Sequence, residues 1–241
     1  MSNIDILEAV PDQKPARGKF FRLWSLFELW PHYPSLGGGH PFEINRSCQF
    51  INGHEILKTK MSTLTAGNIM DKKHTRSSAE LFNEGLKCFH KPDGVGAVRA
   101  FEAVVENDPA YRHEDGDNAY FYLGKIAEIE GRIDDAIGFY SSALVVDPND
   151  EESLIGRGSC YTVKKNHENA VADFKKVLEF PPENRNAPLK DLLYVVAENY
   201  RQQKDFSNAL FWGEKALAED PGNARHQELV AEARKMVSRL S

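Results

Sequence analysis

Catalysis and metal binding need particular side chains at particular spacings, so the candidates for either come first. His54-Glu55 begins like the helix of a zinc protease but has no second histidine four residues on. Gly94-Val95-Gly96-Ala97 holds two glycines of a dinucleotide fingerprint, opens no strand-turn-helix unit, and reads as a hairpin turn. Gly18-Lys19-Phe20 and Gly124-Lys125-Ile126 lack the upstream glycine and the following hydroxyl of a phosphate loop. Gly38-Gly39-His40 suits a hydrolase loop, yet no Gly-x-Ser-x-Gly accompanies it. Cys48, Cys88 and Cys160 are too scattered for a zinc pair and too few for a disulfide framework. His113-Glu114-Asp115 with Asp117 could weakly attract a cation, but an acidic run of this kind is ordinarily a solvated loop. The sequence thus gives no catalytic residue, no metal set and no cofactor, and the expectation is a protein that is not an enzyme.

The elements carrying these residues are bounded by composition. The 241 residues are 41% apolar and 27% charged, with a formal net charge of −6. Mean hydropathy is −0.51, which argues against an integral membrane protein. Residues 1–77 hold ten Lys and Arg against seven Asp and Glu, whereas 78–241 hold twenty against twenty-nine. An acidic body repels phosphates, so nucleic acid is not an expected partner. The leader, 1–77, carries Pro11, Pro15, Pro31, Pro34, Pro41 and the run Gly37-Gly38-Gly39, and should be mostly irregular. Its exception is Phe20 to Trp30, a helix candidate too short to span a bilayer and, with Arg22 and Glu28 inside it, a poor secretory signal. Cytoplasmic residence is therefore expected. This apolar segment is expected to occupy the body's own groove or an adjacent apolar face, unless Met61 is the true start.

The body repeats. Pro109, Pro148, Pro182 and Pro221 lie 39, 34 and 39 residues apart, and each is preceded by twelve residues by Ala97, Ala136, Ala170 or Ala209. A small residue stands twelve before each alanine (Gly85, Gly124, Gly158, Ala197), and an aromatic stands four after it in three units (Phe101, Tyr140, Phe174). In the fourth, Trp212 comes one residue early and Gly213 takes the aromatic place. This pattern resembles the tetratricopeptide repeat, a 34-residue helical hairpin. The resemblance implies an all-α fold: a right-handed α-solenoid of four hairpins (78–111, 117–150, 151–184, 190–223) with a capping helix over 224–241. Insertions at 112–116 and 185–189 separate the first pair and the last pair of units. Small residues suit the close helix crossing, the aromatic fills the gap beside it, and proline ends each unit.

In that family the first helix of each hairpin lines a concave groove. Carried onto this sequence, the groove would present Phe82, Leu86 and Phe89, then Phe121, Tyr122, Lys125, Glu128 and Ile129, then Glu152, Ile155, Ser159 and Val163, then Tyr194 and Glu198. The partner-binding set expected from it is Phe82, Leu86, Phe121, Tyr122, Lys125, Ile155, Tyr194 and Glu198. The family's carboxylate-binding groove needs Lys, Asn and Arg at five places that here read Phe82, Leu86, Tyr122, Glu152 and Gly156, so a chaperone's C-terminal carboxylate is not the expected ligand. The expectation is an interaction scaffold or adaptor for another protein, taking an apolar or basic segment. The alternative is an enzyme or regulator whose activity lies in the leader.

Overall fold

The computed structural model describes residues 76–91 and 93–240. The chain divides into two units, 1–73 and 74–241. The expectations for Phe20 to Trp30, for Met61 and for any activity of the leader lie outside the described residues, as does Cys48.

The described body is all helix: α1 (Ser78–His90), α2 (Gly94–Asn107), α3 (Ala119–Ile129), α4 (Ile133–Val146), α5 (Glu151–Val163), α6 (His167–Leu178), α7 (Leu189–Gln202), α8 (Phe206–Glu219) and α9 (Ala224–Leu240), with a 3-10 turn at Pro182–Asn184. Each helix packs on the one before and after it, and the odd-numbered helices α3 and α5, and α7 and α9, also touch directly. The odd helices therefore form one layer and the even ones another, the arrangement of an α-solenoid.

Local sequence explains where each helix starts and stops. Ser77 and Glu80 form a reciprocal capping box at α1, while Asp93, Asn118, Asn166 and Asp205 each accept a backbone N–H at the start of α2, α3, α6 and α8. Asp108, Asp147 and Asp220 cap the C-termini of α2, α4 and α8. Each precedes a proline, whose ring drives the preceding residue out of helical geometry. Within three hairpins the chain reverses through one left-handed residue at the same place: Gly131, Lys165 and Lys204, with φ of 75°, 59° and 63°. The following N–H of Arg132, Asn166 and Asp205 then reaches back to Ala127, Tyr161 and Tyr200.

The hairpins close on the small residues. Ala97, Ala136, Ala170 and Ala209 are all fully buried. A Cβ on Gly85 would lie 2.7 Å from the Phe101 ring, and one on Gly158 would lie 3.0 Å from Phe174. Tyr140 serves two hairpins at once. Its ring passes 2.8 Å from where a Gly124 Cβ would stand and 2.5 Å from that of Gly156 in the next hairpin. Its hydroxyl donates to Glu128 at 2.7 Å. Polar ties cross the seams as well: Arg157 grips Asp173 through two bonds of 2.7 and 2.8 Å and Ser141 at 3.2 Å, and Thr162 donates to the buried Asn199 at 3.1 Å.

The fourth hairpin departs from this pattern. Gly213 sits where the aromatic would be, and Leu229 and Val230 of α9 fill the space, 2.6 and 3.1 Å from where its Cβ would project. With Leu229, Val230 and Ala233 buried and Arg225, Glu228, Glu232 and Arg234 exposed, α9 covers the last apolar face and turns a polar one outward.

The two insertions are structured rather than merely solvated. In the first, His113 stacks on Phe82 with centroids 4.9 Å apart, and Arg112 pairs with Asp147 at 2.6 Å. In the second, the buried carboxylate of Glu151 accepts the backbone N–H groups of Asn186 and Ala187 at 2.8 and 2.7 Å and the Asn186 side-chain amide at 3.0 Å.

Candidate partner-binding surface

The odd-helix layer carries every residue of the expected partner-binding set, but not all of them face outward. Phe82 is fully buried and Phe121 is 6% exposed, which corrects the expectation that they anchor a partner. Much of the reason lies at and beyond the end of the first repeat: Tyr111, its last residue, is centred 5.7 Å from Phe82, and His113 of the first insertion stacks on it. Phe101 and Tyr122 close the other sides at 5.4 and 5.7 Å. Phe121 belongs to the cluster around Tyr140, Ala136 and Cys160. Tyr122 is half-buried, stacked on Phe101 at 4.9 Å, with its hydroxyl donating to Asp117 at 2.9 Å. These rings hold the first two hairpins together.

The remaining expected residues line the layer more openly. Leu86 and Phe89 are half-buried beside Tyr122. Lys125 projects between α3 and α5 with its ammonium 3.8 Å from Glu128. Burial pulls its pKa below the usual lysine value, and Glu128 and Glu152 oppose that shift. Glu128 is thereby shared between Lys125 and the Tyr140 hydroxyl. Ile155 is half-buried on α5. Further along, Tyr194 stacks on His226 of α9 at 5.0 Å. Glu198 accepts from Arg201 at 2.6 and 2.8 Å, and Arg201 also reaches Glu232 of α9 at 3.0 Å. The cap thus engages both Tyr194 and the Glu198–Arg201 pair.

What the layer leaves exposed is aliphatic. Ile129 and Val163 occupy the same position on α3 and α5 and are 66% and 54% exposed. Sequence mapping placed both on the groove but favoured the rings for anchors. The signal that distinguishes them is their place at the C-terminal end of each first helix, beyond the last ring that the neighbouring hairpin can cover.

Burial pushes the Cys160 thiol up to about 12 and also raises that of Cys88, so neither is a thiolate near neutral pH. Among the described residues no group of three or more His, Cys, Asp or Glu side chains is placed to hold a metal ion. In the first insertion His113 stacks on Phe82 with its Nδ1 3.3 Å from the Asp115 carboxylate, while Asp117 accepts from the Tyr122 hydroxyl. Among the described residues no helix is long and apolar enough to cross a membrane.

Two layers of antiparallel hairpins with small-residue crossings define a helical-repeat protein, and the comparisons agree on which kind. Family models described as tetratricopeptide repeat match residues 96–153 and 151–184. The chain carries tetratricopeptide repeats and belongs among the proteins built from them. It is 30% identical over 140 residues to the DnaJ homolog subfamily C member 7 homolog of Dictyostelium discoideum, covering 57% of this chain and 25% of that protein. It is 36% identical over 93 residues to tetratricopeptide repeat protein 14 of Mus musculus, covering 37% of this chain and 12% of that one. The chain therefore spans a quarter or less of these curated relatives. Among solved structures, a tetratricopeptide repeat protein from Parabacteroides merdae superposes with a TM-score of 0.57 at 24% identity, over 68% of this chain and 62% of that one. MamA gives 0.57 at 22% identity, over 67% and 82%. At such identities these two likenesses establish the fold.

Proposed function

We propose that the body is a non-enzymatic, cytoplasmic interaction scaffold whose odd-helix face takes an apolar or basic peptide segment of another protein. The observation that carries this reading is the repeated aliphatic step Ile129 and Val163, exposed on successive hairpins, with Glu128 and Glu130 on either side of Ile129 in the chain. Exposed aliphatics at helical-repeat spacing suit a segment whose own apolar residues recur, and the nearby carboxylates suit basic flanks. Leu86, Phe89, Lys125 and Ile155 continue the same surface. A chaperone's C-terminal carboxylate is disfavoured because Lys125, the cation at the centre of this face, is already drawn toward Glu128 and no cation stands at Phe82, Leu86, Tyr122, Glu152 or Gly156. Nucleic acid is disfavoured by the same acidic balance.

Affinity capture from the native cell with the full chain, repeated with Ile129→Asp and Val163→Asp, tests the reading. The captured protein should be lost from both variants while circular dichroism stays helical. Retention of the same protein by both variants would remove the odd-helix face from consideration.

A further inference from the structure

The fourth hairpin's shifted aromatic creates a second surface on the even-helix side. In the first three hairpins the ring four residues after the alanine is buried, at 0% exposure for Phe101 and Tyr140 and 2% for Phe174. Trp212 comes one residue earlier, about 100° around the helix, so it leaves the seam to Leu229 and instead borders a cleft between α6, α7 and α8. That cleft has a volume of about 310 Å³ and is lined by Lys175, Leu178, Glu179, Leu189, Leu193 and Trp212. The second insertion, tied down by Glu151, delivers Leu189 to its wall. Beside it Phe211 is 52% exposed, its ring edge-on to Trp212 with centroids 5.4 Å apart.

The charge around these rings runs against the rest of the body. Lys215 holds its ammonium 4.2 Å from the centre of the Phe211 ring and 4.8 Å from that of Trp212. Lys175 stands 5.8 Å from the centre of the Trp212 ring. Among the described residues neither ammonium has a carboxylate within 4.0 Å, although residues 78–241 carry twenty-nine acidic side chains against twenty basic ones. Glu179 is the one carboxylate on the lining.

We propose that this cleft docks an acidic peptide segment bearing one large apolar side chain. The apolar group enters against Leu178, Leu193 and Trp212, and carboxylates on either side of it replace the ring faces as partners of Lys175 and Lys215. The size fits one side chain rather than a whole cofactor, being at the lower end of the range of about 300–1,000 Å³ for small-molecule sites. Aromatic residues flanked by cations are also the composition of binding hot spots. The surface is independent of the odd-helix face, so the two can be tested separately.

The test is selection of a phage-displayed library of random dodecamers on the full chain, followed by fluorescence anisotropy with the best labelled peptides. Acidic sequences with a single Leu, Phe or Trp should be enriched. Their affinity should fall about tenfold or more with Trp212→Ala and with the pair Lys175→Glu and Lys215→Glu, and should not change with Ile129→Asp and Val163→Asp. The charge reversals lie at the surface, so they keep the test decisive if Trp212→Ala folds poorly. Enrichment without acidic bias, no peptide sensitive to the charge reversals, or Trp212-dependent binding to phosphatidylserine vesicles in place of peptides would overturn the proposal.

Discussion

Hairpins one to three fill their crossings with a ring from their own second helix, whereas hairpin four places a glycine there and borrows Leu229 and Val230 from α9. The first arrangement makes a repeat self-sufficient at its crossing. The second makes the last repeat depend on the capping helix. The difference shows that a terminal cap does more than cover an apolar face: its side chains can replace a missing piece of the repeat and release the displaced ring, Trp212, for use elsewhere.

The sharpest way to break this comparison is to remove α9. Deleting 224–241 should abolish amide-exchange protection in α7 and α8 while α1 to α6 retain theirs, as read by hydrogen exchange and mass spectrometry. Uniform loss, or none, would mean the fourth hairpin is no different from the others. Next in size is Tyr140→Ala, which removes a ring wedged between two glycines and should cost about 3–5 kcal/mol in urea unfolding of the full chain. Glu151→Ala should cost about 2 kcal/mol, because the N–H groups of Asn186 and Ala187 lose their buried acceptor. Gly156→Ala and Gly213→Ala form a matched pair. The first drives a methyl into the rigid Tyr140 ring and should destabilise by about 2 kcal/mol, whereas the second meets the end of the Leu229 side chain and should cost less than half of that, helped by alanine's helix propensity. Equal costs would show that the borrowed leucine is packed as rigidly as the native ring.

Two smaller effects refine the picture. His226 is buried at the α8–α9 seam with its Nδ1 donating to the Ala216 carbonyl at 3.1 Å, and burial lowers its pKa below the ordinary value of 6.5. The unfolded chain then binds the proton more readily, so this contribution is fully present above about pH 6.5 and declines as pH falls through that value toward the folded one. His226→Gln should flatten that slope in thermal melts while leaving the slope of Tyr140→Ala unchanged. Smallest of all, Lys165→Gly and Lys204→Gly relieve left-handed strain at the hairpin turns and should each stabilise by about 0.5 kcal/mol.

The fold was legible because its markers are steric. Only a small residue fits opposite Phe101 or Tyr140, so Gly85 and Gly124 recur in phase and give the hairpins away. The site was less legible because exposure depends on residues outside the repeat. Phe82 looks like an anchor until the first insertion lays His113 over it. Nothing in a 34-residue pattern announces that Glu151 will hold the second insertion. The early tryptophan of the fourth hairpin was visible as a departure, but its outward turn becomes meaningful only once Leu229 is seen in the vacated place.

The shared ring of Tyr140 has a consequence for synthesis. As the chain leaves the ribosome, hairpin two can form before its ring has found Gly156, sixteen residues downstream. At about 5–20 residues per second that interval lasts roughly 1–3 s. Gly213 waits the same sixteen residues for Leu229. Each nascent end of the array is therefore briefly open on the side where the next helix will land, and the growing chain closes it from one end to the other.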